Sequence, residues 1–401
     1  MKALGLIVEY NPFHNGHLYH LEESKQKSGA DAVIAVMSGQ FTQRGEPAIA
    51  DKWRRAQIAL DLGVDLVVEL PYAYGVQHAE IFARGAVSIL SHLQADYLIF
   101  GSESGDISEL KRIEALTSSE SFQFQLKKHL NAGLSLPRAQ ALAMEGSASV
   151  QQPNNTLGIH YLRAIKEQGS KLFADTIARV HSNYSETSPQ HESIASATAI
   201  RKLLDANEPV GSYLPKQSLE QLAPQGTVLS WEPYFCCLRQ KILTLGTDGL
   251  REIHDMKEGL ENRFYEGALK ANDFEELLAF IKSKRYTRTR IQRICAHILT
   301  GTSSNFIKNL DLGQPAPYIR LLGMSATGKL YLNRVKKQVE VPIYSKFSAA
   351  GHPMLKHEQK VTAAYGFALE PLEWTRLNAD EFSRFPILNE QRHSPKAKDG
   401  V

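Results

Sequence analysis

Cysteine and long apolar runs are both scarce in this sequence of 401 residues. The cysteines are Cys236, Cys237 and Cys295, of which two are adjacent and none belongs to a Cys-x-x-Cys pair. A disulfide framework and the common zinc-finger spacings are therefore excluded. No run is apolar for the roughly 18 residues that a membrane-spanning helix needs, so we expect no membrane span. The short apolar run within residues 1–9 has no cleavage site and predicts a strand rather than a signal peptide. We expect a cytoplasmic protein.

A large excess of charge of either sign is also missing. The 46 Lys and Arg residues nearly balance the 43 Asp and Glu residues, and the formal net charge is +3. This balance argues against a uniformly basic nucleic-acid binder, although it is compatible with a local basic face. Hydrophobic residues make up 43% of the chain and charged residues 22%. These shares are ordinary for a globular protein, and the length suggests two or three domains.

Four apolar runs in the first hundred residues alternate with helix-like segments. The runs cover residues 3–8, 32–37, 66–70 and 97–100, and helical patterns cover residues 18–27, 51–62 and 78–93. Continuous apolar strands separated by helices are typical of a parallel sheet that is covered on both faces. We therefore predict an α/β fold with a Rossmann-like parallel sheet. In such sheets, ligands bind at the carboxyl ends of the strands.

The pattern changes after about residue 205. Residues 205–211 contain Asp, Asn, Pro and Gly and predict a turn-rich boundary. Helical patterns follow at residues 234–245, 250–268, 273–282 and 289–299. We therefore predict one domain over residues 1–205 and a second, mainly helical domain over residues 206–401.

The most distinctive local feature is the sequence His14-Asn15-Gly16-His17, between the first predicted strand and the helix that follows it. Gly16 allows a ligand to approach the backbone, and the helix start presents free N–H groups to an anion. Imidazole donors from His14 and His17 would help most where charge grows on a phosphate in the transition state. Two alternatives remain open. The histidines are merely polar residues at a helix start, or they form a zinc site with His20 as a third ligand.

The segment Asn-Pro-Phe-His-Asn-Gly-His resembles the HxGH signature of the nucleotidylyltransferase superfamily. More extended stretches are similar to the bacterial tRNA(Met) cytidine acetate ligase family. They cover residues 5–18, 37–48, 68–71, 100–103, 153–158, 194–201 and 284–290, and the similarity continues to about residue 331. The resemblance implies that residues 1–205 form an ATP-binding nucleotidylyltransferase domain and that residues 206–401 bind tRNA.

This resemblance also implies a reaction in two steps. Acetate and ATP give acetyl-adenylate and pyrophosphate, with Mg²⁺ accompanying the ATP. The acetyl group then moves to N4 of the wobble cytidine in elongator tRNA(Met). A carboxylate is a poor acyl donor and a cytosine amine is a weak nucleophile, so activation of the acid is chemically necessary.

The resemblance implies that one segment wraps the ATP and that its histidines, His14 and His17, are catalytic. The segment comprises Ile7, Val8, Glu9, Tyr10, Asn11, Pro12, Phe13, His14, Asn15, Gly16, His17, Leu18, Tyr19 and His20. Further ATP contacts are expected from Gly101, Asn154, Asn155, Arg179, Ser196, Thr198 and Arg201.

Each of these further contacts has a simpler alternative. Gly101 could be a turn glycine, and either Asn154 or Asn155 could only cap a helix. Ser196 could be an ordinary N-cap that is followed by a solvated Arg201. The chain also departs from the family after Arg179, where His181 and Asn183 stand at positions expected to be glycine. That departure leaves the shape of this loop, and part of the role of Arg179, open.

The loop over residues 38–51 is rich in polar side chains, including Gln40, Gln43, Arg44 and Glu46, and Lys52 follows it. It could close over the acetyl-adenylate or receive the cytidine. The alternative is an ordered surface loop with an Arg44–Glu46 ion pair.

Residues 281–310 carry seven basic side chains and no acidic one. By resemblance to the family, we expect the tRNA to contact Lys282, Lys284, Arg285, Tyr286, Arg288, Arg290 and Arg293. Lysine and arginine would bind phosphates, and the tyrosine could stack on an unpaired base. The alternative is a solvated helical face.

Two other functions stay open at this stage. One is adenylyl transfer to a small phosphorylated metabolite, for which a basic RNA-binding stretch would be unnecessary. The other is an RNA-binding protein with a vestigial nucleotide site, against which the intact His14, Gly16 and His17 argue. The sequence leaves the acetate pocket, the basis of tRNA selection and the oligomeric state undetermined.

Overall fold

The computed structural model describes residues 1–134, 136–143, 152–179, 192–222, 230–257, 259–283, 285–347 and 351–390. In these ranges the strands are β1 (Ala3–Val8), β2 (Ala32–Ser38), β3 (Leu66–Leu70), β4 (Tyr97–Ser102), β5 (Phe173–Ala178), β6 (Ile319–Ser325), β7 (Ile343–Tyr344) and β8 (Ile387–Asn389). They form one sheet in the order β5-β4-β1-β2-β3-β6-β7, and β8 pairs with β6.

The first five strands are parallel, as the sequence predicts. β1 is the central strand of this part of the sheet, and it pairs with β2 on one edge and with β4 on the other. The sheet is therefore extended in one direction by β2 and β3 and in the opposite direction by β4 and β5. β2 and β3 are buried along their whole length, because helices cover both faces. The order β3-β2-β1-β4-β5 is that of a doubly wound sheet, whose ligand crevice lies where the strand order reverses. Here that point is between the carboxyl ends of β1 and β4.

The helices of the first half connect these strands. They are α1 (Asn15–Ser28), α2 (Lys52–Asp61), α3 (Tyr72–Gly75), α4 (Ala79–His92), α5 (Ile107–Thr117), α6 (Glu120–Asn131), α7 (Leu136–Ala143), α8 (Pro153–Glu167) and α9 (Ala197–Asp205). The N-termini of α1 and α9 matter most for the site, because both follow chain segments at the carboxyl edge of the sheet.

The second half of the chain is mainly helical. It contains α10 (Lys216–Gln221), α11 (Phe235–Arg251), α12 (Leu260–Lys270), α13 (Phe274–Ile281), α14 (Arg288–Thr300), α15 (Ser304–Asn309), α16 (Ala326–Val335), α17 (Pro353–Tyr365) and α18 (Pro371–Ser383), with 3-10 turns at Glu232–Tyr234 and Gly366–Ala368. The helix predicted over residues 250–268 was wrong in its extent. α11 ends at Arg251, Ile253 makes a bridge to Ser303, and α12 starts only at Leu260.

The second half also returns to the sheet. β6 lies antiparallel to β3 and brings β7 and β8 with it. One continuous apolar cluster contains Val67 of β3 together with Ile294 of α14 and Tyr365 of α17. The boundary at residue 205 stays a prediction, and it would divide one sheet between two segments. No helix in the described ranges has the length and apolar character to cross a bilayer.

A buried ion network fastens the last helices to the sheet. Lys52 Nζ lies 2.6 Å from Glu69 Oε1 and 2.8 Å from Glu381 Oε2. Arg320 contacts the same two carboxylates. Glu358 is buried beside them, and burial together with the negative charge of Glu69 raises its pKa to about 8. The raised pKa favours the protonated form of Glu358. In that form, the two positive charges of Lys52 and Arg320 are balanced by the two negative charges of Glu69 and Glu381.

Candidate functional site

A cavity of about 400 Å³ opens at the carboxyl edge of the sheet, at the switch point between β1 and β4. Its floor is formed by the ends of β1, β4 and β5. Residues at the N-termini of α1 and α9 line it, so the positive ends of both helix dipoles lie at the cavity. At α1 the first N–H groups already have partners in the protein: that of Asn15 donates to the Tyr213 carbonyl, and that of Gly16 to His14 Nδ1. The arrangement is suited to an elongated ligand that carries negative charge at one end.

His14 and His17 stand at the start of α1 and both line this cavity. Their rings are stacked, with centroids 3.8 Å apart. Each ring nitrogen Nδ1 accepts a backbone N–H: that of Gly16 for His14, at 3.0 Å, and that of His14 itself for His17, at 3.4 Å. A Cβ at Gly16 would lie 2.9 Å from the His14 ring, so glycine is needed here by the histidine as well as by a ligand.

These hydrogen bonds fix which nitrogen carries the proton. Because Nδ1 of each imidazole accepts, the neutral ring holds its proton on Nε2, which can donate to a ligand oxygen. Burial, together with the charges of Arg179 and Arg201, lowers the pKa of His14 to about 3. Burial and the neighbouring His14 also hold the pKa of His17 well below its ordinary value. Both lowered pKa values favour the neutral imidazoles in the ligand-free protein, and only a hydrogen bond with the Pro12 backbone acts on the pKa of His17 in the opposite direction.

The start of α9 supplies the second anion-binding element. Ser196 caps this helix, and its side chain accepts the N–H of Ala199 at 3.1 Å. Thr198 and Arg201 line the cavity beside it. Arg201 donates to the carbonyl of Asn11 and forms an ion pair with Glu46, each at 2.8 Å. Arg201 is therefore held in place rather than solvated. Glu46, which the alternative interpretation of the loop paired with Arg44, forms its ion pair with Arg201.

The opposite end of the cavity lies beyond β4 and β5. Gly101 is inside β4 rather than in a turn, and an added Cβ would meet only the side chains of Arg179 and His20, at 3.6 and 3.9 Å. Arg179 directly follows β5, and its Nη1 lies 3.5 Å from Oδ1 of Asn154. This end therefore combines an open strand edge with a guanidinium. Residues His181 and Asn183 lie outside the described residues.

The two adjacent asparagines have different roles. Asn154 lines the cavity, and its side-chain amide donates to Glu103 at 2.7 Å. Asn155 is fully buried, and its Oδ1 accepts the N–H groups of Glu103 and Ser104 at 3.0 and 3.2 Å. Asn155 therefore shapes the loop after β4, and it is not among the residues that line the cavity; its contact with ATP stays a prediction.

Most of the residues expected to bind ATP line this one cavity. They are Ile7, Val8, Glu9, Tyr10, Asn11, His14, Gly16, His17, Tyr19, His20, Gly101, Asn154, Arg179, Ser196, Thr198 and Arg201. Those expected there but absent from the lining are Pro12, Phe13, Asn15, Leu18 and Asn155. Phe13 is fully buried in the core, and Asn15 donates instead to the carbonyls of Ser193 and Ser212.

Sequence reasoning missed one wall of the cavity. Ala79 and Phe82 from the start of α4, and Leu157 and Tyr161 from α8, line it. Apolar residues at helical spacing are ordinarily core residues, so the sequence gives no signal that these ones face a cavity. The same wall contains Gln43, Arg44 and Glu46, whose loop the sequence did single out.

The loop that carries these residues, residues 39–51, is anchored by Arg55. This arginine is buried, and it donates to the carbonyls of Ala50 at 2.8 Å, Ser38 at 3.0 Å and Glu9 at 2.8 Å, and also to that of Gly39. The ends of β1 and β2 are thereby tied to the base of the loop. Burial lowers the pKa of Arg55 from its usual value, and the four carbonyls compensate its desolvation.

The tip of the loop packs against α14. Gly45 has φ +81°, and a Cβ there would lie 2.4–2.6 Å from backbone atoms of Gln292 and Arg293. The wall of the cavity therefore touches the helix that carries the basic stretch. This contact links two parts of the chain that the sequence analysis treated as separate.

Some side chains of the basic stretch, residues 281–310, form ion pairs with acidic residues. Arg288 pairs with Glu275 at 2.6 Å, and Arg290 pairs with Asp255 at 2.8 Å, so acids from outside the stretch neutralise part of it. Tyr286 is half-buried, with the Arg290 guanidinium 5.1 Å from its ring centroid. The side chains of Lys282 and Arg285 are exposed, and Arg293 is half-buried beside the loop tip. Lys284 lies outside the described residues.

Among the residues that the structure describes, the acidic side chains that line the cavity are Glu9 and Glu46, which are too few for a protein metal cage. Across the described ranges of the chain, no group of three or more His, Cys, Asp or Glu side chains is arranged to hold a metal ion.

A family model described as HIGH Nucleotidyl Transferase matches residues 1–380 of the chain. The match includes β1 to β7, the histidine pair and both helix starts at the cavity. Fold and site together define an α/β nucleotidyl transferase of the HIGH type.

Comparison with curated relatives identifies the family within this class. The chain is 44% identical over 386 residues to the tRNA(Met) cytidine acetate ligase of Anoxybacillus flavithermus, covering 93% of this chain and 96% of that protein. It is 41% identical over 403 residues to that of Bacillus subtilis, covering 96% and 97%. The chain belongs to the tRNA(Met) cytidine acetate ligase family.

Solved structures agree with this placement. The crystal structure of apo Thermotoga maritima TmcAL matches with a TM-score of 0.91 and 32% identity, covering 98% of this chain and all of that one. The crystal structure of T. maritima TmcAL bound with alpha-thio ATP matches with a TM-score of 0.88 and 32% identity over the same shares.

Proposed function

We propose that the protein activates acetate with ATP and transfers the acetyl group to N4 of the wobble cytidine of elongator tRNA(Met). The observation that carries this proposal is the cavity at the β1–β4 switch point, which joins the stacked His14 and His17 to two anion-binding helix starts. The names of the relatives supply the substrate, and the ATP analogue bound by the Thermotoga neighbour supplies the nucleotide.

In this proposal the triphosphate lies along the starts of α1 and α9. The Nε2–H groups of His14 and His17 donate to the α-phosphate, where negative charge grows as the acetate oxygen attacks. Ser196, Thr198 and Arg201 hold the pyrophosphate that leaves. A preorganised arginine is suited to this task because its guanidinium stays charged and binds phosphate oxygens in a fork.

The adenosine then occupies the end that is bounded by Gly101, Asn154 and Arg179. The strand edge at Gly101 leaves room for the nucleoside, and Asn154 and Arg179 offer polar contacts to it. Mg²⁺ would be bound by the phosphates with water rather than by a protein cage, consistent with the few acids that line the cavity. It would neutralise part of the phosphate charge.

The tRNA would lie on the face formed by Lys282, Arg285 and Arg293. Arg293 borders the loop tip at Gly45, so RNA held at this residue is next to the loop that lines the cavity. The expected contribution is electrostatic and therefore weakens with salt.

The first test is exchange of radiolabelled pyrophosphate into ATP. We expect exchange that depends on acetate, because acetyl-adenylate formation is reversible. Exchange that needs a phosphorylated metabolite instead of acetate would favour a different adenylyltransferase. Mass analysis of tRNA(Met) after incubation with ATP and acetate should then show a single acetyl group on the anticodon cytidine.

The histidine pair offers a matched test of the site. His17→Ala should abolish acetate-dependent exchange, because it removes a donor to the α-phosphate. It should leave tRNA affinity within about twofold of wild type, because His17 lies in the cavity and not on the basic face. Full exchange activity in this variant would contradict the role given to His17.

A further inference from the structure

We propose that Glu9 is the catalytic base of acetyl transfer, and that the wall formed by Glu9, Gln43 and Arg44 is the subsite for the acceptor cytosine. This inference rests on the proposed function. It assigns a residue and a place to the second step, for which the histidine pair and the helix starts provide no proton acceptor.

In the described part of the chain, the carboxylates of Glu9 and Glu46 line the cavity, and their surroundings differ. Glu46 is committed to Arg201 by an ion pair at 2.8 Å. Glu9 has no salt bridge to any described Lys or Arg residue, and one of its oxygens, Oε1, accepts the backbone N–H of Gln43 at 2.7 Å. The carboxylate is thus oriented by the backbone of the loop, while Oε2 has no hydrogen-bond partner among the described residues.

The position of Glu9 also places it between the two halves of the reaction. Its main chain follows β1 directly and precedes the histidine segment, and its carbonyl is held by Arg55 at 2.8 Å. Its side chain contacts the opposite side, the loop of residues 39–51. Glu9 therefore lines the same cavity as the histidine pair, and its carboxylate contacts the backbone of the loop.

The wall beside Glu9 is suited to a planar base. Phe82, Leu157 and Tyr161 give it an apolar surface, and Gln43 and Arg44 give it polar groups. No ligand contact is otherwise assigned to these side chains. Because the loop tip at Gly45 touches the backbone of α14, a nucleotide that extends from RNA on that helix reaches this wall first.

The chemistry of the second step requires a proton acceptor. The lone pair of N4 attacks the carbonyl carbon of acetyl-adenylate, a C–N bond forms, and the C–O bond to AMP breaks with its electron pair leaving on the phosphate. The nitrogen must lose one proton, which passes to the carboxylate of Glu9 and later to water. Exocyclic cytosine amines are weak nucleophiles, so removal of this proton in the transition state accelerates attack.

The charged groups around Glu9 are compatible with this role. Burial raises its pKa, the Gln43 N–H and the charges of Arg44 and Arg201 lower it, and Glu46 raises it. Arg55 and Tyr161 lie on the elements packed against it. The net effect is a raised pKa, which makes Glu9 a stronger base than an exposed carboxylate.

The experiment compares the two steps in the full-length protein. Step one is measured by acetate-dependent pyrophosphate exchange, and step two by single-turnover transfer from synthetic acetyl-adenylate to a tRNA(Met) transcript. Glu9→Gln keeps an oxygen that can accept the Gln43 N–H, so thermal unfolding should be close to wild type. We expect transfer to fall about 100-fold or more, in the range of lost general-base catalysis, and to fall much further than exchange.

The pH profile is the second readout. In the wild type, single-turnover transfer should rise with pH as Glu9 loses its proton and then level off. Glu9→Gln should lack this limb, and Glu9→Asp, which keeps a carboxylate on a shorter side chain, should restore it with a lower plateau. Equal losses of exchange and transfer in Glu9→Gln, or an unchanged transfer rate, would overturn the assignment of Glu9. Absence of acetate-dependent exchange in the wild type would instead overturn the proposed function, and the inference with it.

Discussion

Replacement of Gly45 by alanine tests whether the loop that lines the cavity is truly supported by α14. Gly45 has φ +81°, and Gly133 has φ +82°. Alanine at either position therefore carries nearly the same left-handed backbone strain, of about 1–3 kcal/mol. At Gly133 an added Cβ meets nothing within 4 Å, whereas at Gly45 it meets the backbone of Gln292 and Arg293 at 2.4–2.6 Å. The difference between the variants isolates the contact with α14.

Such a clash with backbone atoms cannot be relieved by a rotamer change. Forcing one extra methyl group into a packed contact costs typically about 1–3 kcal/mol. We expect Gly45→Ala to lower the free energy of urea unfolding by that amount more than Gly133→Ala does, or to shift the loop instead. A shifted loop would move Gln43 and Arg44 and lower tRNA acetylation.

Two measurements are therefore needed for each variant: urea unfolding, and acetylation of tRNA(Met) at saturating ATP and acetate. Gly133→Ala should retain wild-type acetylation, because its loop is remote from the cavity. If both variants lost the same stability and both kept full acetylation, the described contact between the loop tip and α14 would be refuted.

Three further changes test other parts of the structure. Lys52→Met should lower the free energy of unfolding by about 3–5 kcal/mol, because it removes one of the two cations that balance the buried carboxylates; an unchanged urea midpoint would contradict the buried network. The lowered pKa of His14, about 3 against 6.5 unfolded, means that the unfolded chain binds more protons between these values. The free energy of unfolding of the ligand-free protein should thus fall as pH is lowered from 7 towards 5. His14→Gln should reduce the slope of this free energy against pH by up to about 1.4 kcal/mol per pH unit. An unaltered slope in urea titrations would argue against a buried neutral imidazole. Arg285→Ala should lower the slope of log affinity for tRNA against log salt by about 1, and Arg288→Ala should lower it less, because Arg288 is already paired with Glu275; equal slopes for the two variants would contradict this ranking.

The sequence predicts the sheet well because its strands are continuous apolar runs. β1 and β3 have the predicted bounds, and β2 and β4 extend by one and two residues. The histidine pair was found by its pattern, since Gly16 between two histidines after a strand is rare and has a physical reason. The apolar runs and the histidine pattern each lie within a few consecutive residues, so a single sequence is enough to reveal them.

The parts that escaped prediction depend on contacts between distant segments. Nothing near Glu46 indicates that its partner is Arg201 rather than Arg44. The cavity-facing position of Phe82 cannot be told from a core position by its spacing. The addition of β6 to the sheet was also not foreseen, because a run such as Ile319–Ser325 carries no mark of the strand with which it pairs.

The late arrival of β6 has a consequence for how the protein is made. β3 is apolar along its length apart from Glu69, and its outer edge is covered by a strand that begins only at Ile319. At about 5–20 residues per second, the ribosome leaves that edge bare for roughly ten to fifty seconds. Nascent or truncated chains that end before this strand therefore expose an unpaired apolar strand edge, at which two such chains can aggregate. The yield of intact enzyme depends on protection of this edge until β6 has been synthesised.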